Sequence, residues 1–298
     1  MPPQRTVLIT GCSDHSLGAA LALAFHKTGG WRVIASARNP AKLKQVADAG
    51  ITTVQLDITS EESIAASVAV VEKLTSDGSL DALVNNAGAA YSLPLLDIDL
   101  DKARALFDLN VFAILRVTRA FMPLLMKSSK TGSGGGLLVN NTSAASQPAG
   151  AFPFQGAYNA SKAAAASLTE GLRLELAPFG IRVVNLVTGG VKSGFFDNAP
   201  TATLPRDSLY NVAKEAIETV MAGEDMAAQG QEASVWADAV VRDLSCARPA
   251  HWVWRGRHAT EVRLASLLPV GTLDGVIKKM SKLDVLEQKI KEKGSKQE

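Results

Sequence analysis

The feature that most constrains this chain is a regular alternation, over its first two thirds, of short β-branched runs with longer amphipathic stretches. Candidate strands are Thr6–Thr10, Arg32–Ala37, Thr53–Asp57, Ala82–Asn85, Leu137–Thr142 and Arg182–Val187. Helical spacing runs through Ala41–Ala49, Ser60–Leu74, Asp101–Lys127 and Ala157–Ala177, and Thr59 with Glu62 reads as a capping box opening the second of these. Nearly continuous apolar strands leave no face for water, so they belong in a parallel sheet covered on both sides. The expected fold is α/β, a doubly wound parallel sheet with helices on both faces. One domain over residues 1–260 would include the site, followed by a helical, basic extension over 261–298. The run Thr131–Gly136, TGSGGG, reads as a flexible loop inside the domain, because the alternation continues past it.

Composition narrows the function classes. With 298 residues, 47% of them hydrophobic and 20% charged, there is material for one large core. A net charge of +2 gives no case for a nucleic-acid partner. Cys12 and Cys246 are far apart and show no CxxC pairing, which argues against a disulfide framework or a thiolate metal cage. His15, His26, His251 and His258 lack partners at ligand spacing, so no metal is expected, and Asp97, Asp99 and Asp101 read as helix-start and surface residues. The opening MPPQRTVLIT has no apolar stretch behind a charged start, and no apolar run reaches bilayer length. A cytoplasmic location is the expectation.

Directly after the first strand comes Thr10-Gly11-Cys12-Ser13-Asp14-His15-Ser16-Leu17-Gly18, leading into helical ALALAFHK. A strand that turns tightly into a helix N-terminus offers unpaired N–H groups and a positive dipole end to a pyrophosphate. Gly11 and Gly18 serve where backbone must approach phosphate or strand, whereas Ser16 stands where such a turn usually carries its middle glycine. Ser13, Ser16 and Leu17 complete the candidate phosphate contacts. At the end of the second strand, where NAD-selective sites place an acid, the chain has Ala37 and then Arg38. A guanidinium makes bidentate, charge-assisted bonds to phosphate, so Arg38 points to the 2′-phosphate of NADP.

The most specific feature is Tyr158-Asn-Ala-Ser-Lys162 at the start of a helical stretch. Residues four apart share a helix face, so the phenol and the ammonium can address one site. A free tyrosine has a pKa of about 10, and a cation at ~4 Å contributes roughly 4 kcal/mol at an effective dielectric of ~20, enough for about three pKa units before desolvation opposes it. Fifteen residues upstream, Ser143 follows the apolar LLVNNT and should stand at a strand tip, where open α/β sheets bind ligands and a hydroxyl can stabilise a charged oxygen. Asn85-Asn86-Ala87-Gly88 ends the fourth strand with residues small enough for a ligand to lie on the backbone, and Asn110 is a polar residue within apolar LFDLNVFAIL.

Together these residues resemble the short-chain dehydrogenase/reductase superfamily, from about Thr6 to Phe196. The resemblance implies a Rossmann-type, NADPH-binding oxidoreductase with a catalytic tetrad of Asn110, Ser143, Tyr158 and Lys162. Tyr158 would be the general acid in reduction and Ser143 would hold the substrate oxygen. Lys162 would lower the tyrosine pKa and bind the nicotinamide ribose, and Asn110 would position a proton-relay water. Asp57 and Ile58 resemble the family's adenine contact; Asn85, Ala87 and Gly88 resemble the segment lining the cofactor. Thr188-Gly-Gly-Val191-Lys-Ser193 matches the Pro-Gly segment after the sixth strand, with Thr188 in the proline position and Val191 and Ser193 toward the cofactor. The longer glycine turn, the Thr-Gly-Gly-Val segment and Trp252-Val-Trp254-Arg255-Gly256 are similar to the acyl-dihydroxyacetone-phosphate reductase branch, which also supplies ketoreductases to fungal secondary metabolism.

The expected reaction is hydride transfer between NADPH and a ketone or secondary alcohol. The ketone is either an acyl-dihydroxyacetone-phosphate-like lipid or a polyketide-like or steroid-like molecule; a sensor that binds NADPH without turnover is a third class. The loop from Asp197 to about Gly230 would shape the pocket. Beyond Leu264, apolar Leu267, Leu268, Leu273, Val276, Ile277, Met280 and Leu283 alternate with Lys278, Lys279 and Lys282. Such a segment either caps the pocket, packs on a second subunit of a homo-oligomer, or lies peripherally on a membrane.

Overall fold

The computed structural model describes residues 4–75, 77–130, 135–195, 203–223 and 228–295. Among these, strands β1 (Arg5–Thr10), β2 (Trp31–Ala37), β3 (Thr52–Gln55), β4 (Ala82–Asn85), β5 (Leu137–Ser143), β6 (Arg182–Thr188) and β7 (Trp252–Arg255) pair parallel in one sheet, ordered β3-β2-β1-β4-β5-β6-β7. The direction of winding reverses between β1 and β4, and at such a switch point the connecting chains diverge and leave a crevice beyond the strand tips.

Period-two alternation divides each strand between two cores. Val7 and Ile9 of β1 face helices α1 (Leu17–Lys27) and α8 (Ala233–Leu244), whereas Leu8 faces α3 (Glu61–Leu74) and α5 (Ala113–Lys130). The same division holds in β4, where Val84 joins the first core and Leu83 the second. Helix α6 (Gly156–Leu176) lies on the second face, where Asn140 of β5 donates to Thr169 Oγ1 at 3.0 Å. The remaining α-helices named among the described residues are α2 (Lys44–Asp48), α4 (Leu100–Phe107), α7 (Lys214–Ala222), α9 (Ala259–Ala265), α10 (Asp274–Met280) and α11 (Leu283–Gly294).

Several boundaries differ from the sequence reading, each for a local reason. β3 stops at Gln55 rather than Asp57, because its partner β2 ends there and Asp57 turns back to accept from the Thr59 amide and hydroxyl. The cap of α3 is Ser60, which accepts from the Ser63 amide, and Thr59 is tied up by Asp57. The long stretch 101–127 divides into α4, a π-helical turn over Asp108–Phe112, and α5. Strand β7 and helix α8 were not foreseen, although Trp236, Ala237, Val240, Val241 and Leu244 fall at helical spacing and are all buried. Of the loop Thr131–Gly136, residues 131–134 lie outside the described residues, as do 197–202 and 224–227 of the pocket loop.

Trp236 is fully buried between α1, α8 and the sheet. Trp236→Ala should therefore cost about 3–5 kcal/mol in denaturant unfolding, and a loss under about 1 kcal/mol would contradict this packing.

Candidate active site

The crevice is built at four strand tips. At the tip of β1, Gly11 has φ +74°, and a Cβ there would stand 2.8 Å from Ala87 Cα at the tip of β4. A Cβ on Gly18 would stand 2.3 Å from the Gly11 carbonyl oxygen. Both positions exclude a side chain, so the turn presents bare backbone. Ser16, in place of a glycine, is the N-cap of α1: its hydroxyl donates to the Gly11 oxygen at 2.9 Å and accepts from Ala19 N at 3.1 Å. The longer turn leans on its neighbours, since Gln45 N donates to Asp14 and Gly194 N donates to the His15 oxygen across the crevice. Ser13 and Leu17 lie half-buried within the turn.

Thr10 locks this turn to β4, its hydroxyl accepting from Asn86 N at 2.9 Å and Ala87 N at 3.0 Å. The next residue, Gly88, lies under two of the predicted site residues: a Cβ there would be 3.1 Å from Asn110 Oδ1 and 3.3 Å from Lys162 Nζ. Asn110 occupies the π-helical turn, a local widening that aims one side chain inward. Its amide donates to the Ala89 oxygen and to Ser161 Oγ, and its oxygen accepts from Ala89 N, all at 3.0 Å.

Ser143 ends β5, where its hydroxyl accepts from Ala145 N at 3.1 Å and lies close enough to Tyr158 to act on the phenol. Lys162 Nζ donates to the Asn141 oxygen at 3.1 Å and stands 5.9 Å from the Tyr158 ring centre. Asn110 and Lys162 thus meet at Gly88, and Lys162 and Ser143 both approach Tyr158. The electrostatics depart from expectation. Burial pushes the Tyr158 phenol above its ordinary value, and the Ser143 hydrogen bond only offsets part of this. Burial also pulls the Lys162 ammonium down to about 8. Lys162 is anchored to the Asn141 carbonyl, and burial is the largest influence on both groups.

The other predicted residues fall into two groups. Arg38 is exposed at the tip of β2, close enough to Asp57 to act on its carboxyl: burial tends to raise that pKa, but bonds from Thr59 and the Arg38 charge outweigh it and leave the acid below its ordinary value. Val191 and Ser193 follow β6, and Val191 bridges to Gln231. Ile58 and Asn85, in contrast, turn inward. Ile58 packs with Val54, Leu56 and Ile64, and Asn85 donates to Thr118 Oγ1 and Asn140 Oδ1, joining the sheet to α5. Thr188 Oγ1 lies 2.6 Å from the Asn141 side chain, a polar tie in the place expected for a proline. Sequence reasoning missed Ser161 and Asn141, which hold Asn110 and Lys162; their signal was adjacency to Lys162 and to the strand leading to Ser143. It also missed the apolar wall around Tyr158, formed by Tyr91, Leu93, Ala145 and Phe195, with the Phe195 ring centre 5.7 Å from that of Tyr158.

Residues 5–203 match the family described as short chain dehydrogenase. The chain is 45% identical to a short-chain dehydrogenase/reductase of Pestalotiopsis microspora, over 97% of this chain and 98% of the relative. It is 33% identical to an NADPH-dependent 1-acyldihydroxyacetone phosphate reductase of Schizosaccharomyces pombe, over 95% and 96% of the two chains. A crystal structure of a short-chain dehydrogenase from Streptomyces avermitilis is similar with a TM-score of 0.73 at 28% identity, covering 96% of this chain and 98% of that one.

Proposed function

This chain belongs to the short-chain dehydrogenase/reductase family and is an oxidoreductase of CH–OH and C=O groups; from there, we propose that it reduces a ketone with NADPH, using Tyr158 as proton donor. The observation that carries the reading is a buried Tyr158 whose phenol lies within reach of Ser143, with Lys162 Nζ 5.9 Å from the ring centre.

The site fits a nicotinamide nucleotide, because Gly11, Gly18 and Gly88 keep backbone bare where side chains would block it. The α1 N-terminus would hold the pyrophosphate, with Val191 and Ser193 on the opposite side. Arg38 would take a 2′-phosphate, in line with the NADPH named for the fission-yeast relative. When bound, the nucleotide supplies a hydride. The Ser143 hydroxyl and the Tyr158 phenol together orient the substrate oxygen, and a phenol kept protonated by burial is ready to donate as negative charge develops there. The Lys162 ammonium favours the phenolate left behind. Asn110 has both amide hydrogens committed to Ala89 and Ser161, so its side chain holds the Gly88 segment against α6.

The wall around Tyr158 is apolar, and the sequence carries no cation between Lys192 and Arg206. This supports an uncharged, largely apolar ketone, polyketide-like or steroid-like, since a buried phosphate ester requires a cation. The name of the fission-yeast relative supports a second reading, an acyl-dihydroxyacetone-phosphate-like substrate. A ketone panel read by NADPH absorbance separates the two.

Tyr158→Phe should lower kcat by roughly 10²–10⁴ while leaving nucleotide binding intact. Turnover at the wild-type rate would refute the mechanism. Arg38→Ala should raise the KM for NADPH roughly 10- to 100-fold and leave that for NADH unchanged; a wild-type preference for NADH would remove the assignment. The phenol stays protonated through neutrality, so the group that titrates first is Lys162. Ketone reduction should then fall by about tenfold per unit as pH rises through about 8, where Lys162 loses its charge. A profile flat across that range would contradict the role given to Lys162.

A further inference from the structure

Between α9 and α11 the chain carries large apolar side chains outside both cores. Leu267 is 83% and Val270 92% exposed, and Leu264, Leu268, Val276 and Met280 are each about half exposed or more. The segment is held at both ends. At one end, Ala259 is buried and Val262 reaches Gly150, in the stretch that follows Ser143. At the other, Leu286 of α11 is buried with Phe154, Leu204, Ala213, Ile217 and Met221, and α10 packs on α11. Residues 266–273 therefore form a fixed apolar prominence rather than a loose tail. Within residues 263–283 the sequence has four cations, Arg263, Lys278, Lys279 and Lys282, against the carboxylate of Asp274, with Glu261, Asp284 and Glu287 just outside. Lys278 pairs with Glu287 at 2.6 Å, whereas Lys279 and Lys282 are exposed.

We propose that residues 264–283 dock the protein on an anionic lipid bilayer, with Leu264, Leu267, Leu268 and Val270 entering the boundary between headgroups and acyl chains. Lys279 and Lys282 then face the lipid phosphates. A narrow projection suits a soft medium that closes around it, whereas a stable protein partner needs a broad, flush face of about 800 Å² per side. A second copy of this chain in a two-fold contact would place the same lysines against one another. One support of the prominence rests on the stretch 144–150, which includes Ala145 beside Tyr158, and the other on residues 209–213. Docking would therefore bring the pocket rim to the lipid surface. The proposal does not depend on the ketone reading, because its readout is binding.

The test is sedimentation of the full chain with vesicles of phosphatidylcholine, alone or mixed with phosphatidylserine. Wild type should pellet with the mixed vesicles and less with the neutral ones. The double variant Leu267→Asp/Val270→Asp should partition at least roughly tenfold more weakly, with unchanged thermal stability and unchanged turnover of a water-soluble ketone. Lys279→Glu/Lys282→Glu should lose the preference for phosphatidylserine. Wild type remaining in the supernatant, or the Asp variant binding like wild type, overturns the proposal. So does an Asp variant whose sedimentation velocity shows a dissociated oligomer while vesicle binding is unaltered, which would assign the prominence to a second copy.

Discussion

A single buried hydroxyl joins the two halves of the winding. Thr10 accepts the amides of Asn86 and Ala87, so the tip of β1 and the tip of β4 are held in register where their following chains part company. On one side of this tie the backbone becomes the glycine turn; on the other it becomes Gly88, against which Asn110 and Lys162 pack. Buried backbone amides left without an acceptor are costly, so the hydroxyl both satisfies them and sets the spacing of the crevice. Asn110 and Lys162 come from elements far apart in sequence, and both pack against the segment this junction fixes.

The alternation of apolar runs made most of the sheet readable, because strands buried on both faces must be apolar throughout and helices must follow them. What escaped notice were features decided by tertiary context. β7 is a four-residue edge strand whose residues Trp252 and Trp254 stack on each other, and nothing local distinguishes it from a loop. The end of β3 depended on where β2 stops, and the cap of α3 on which hydroxyl Asp57 captured. In the site, Tyr158, Lys162 and Ser143 were visible from spacing and strand position. The inward turn of Asn85 and Ile58 was not, because residues at a strand tip can face either layer and only the packing of α3 and α5 decides.

Coulomb's law at a chosen distance and dielectric led to a tyrosine of lowered pKa, and the folded protein reverses that sign. The error lay in the omission of desolvation, which acts on both partners together. The outcome gives the two groups distinct states near neutrality: a phenol that keeps its proton, and an amine poised close to its own midpoint. Environments that separate the titration of neighbouring groups are what acid–base chemistry needs.

Phe154, four residues before the tyrosine, adopts a left-handed backbone at φ +66°, which an L-residue with a bulky side chain tolerates only when its surroundings enforce it. The enforcement is the small cluster where its ring meets Tyr210 edge-on and Leu286 from the far end of the chain. Through that one strained residue, the first turn of the helix carrying the phenol is mechanically tethered to the C-terminal helix. A change of shape at Leu286 is thereby felt at the backbone turn just ahead of Tyr158.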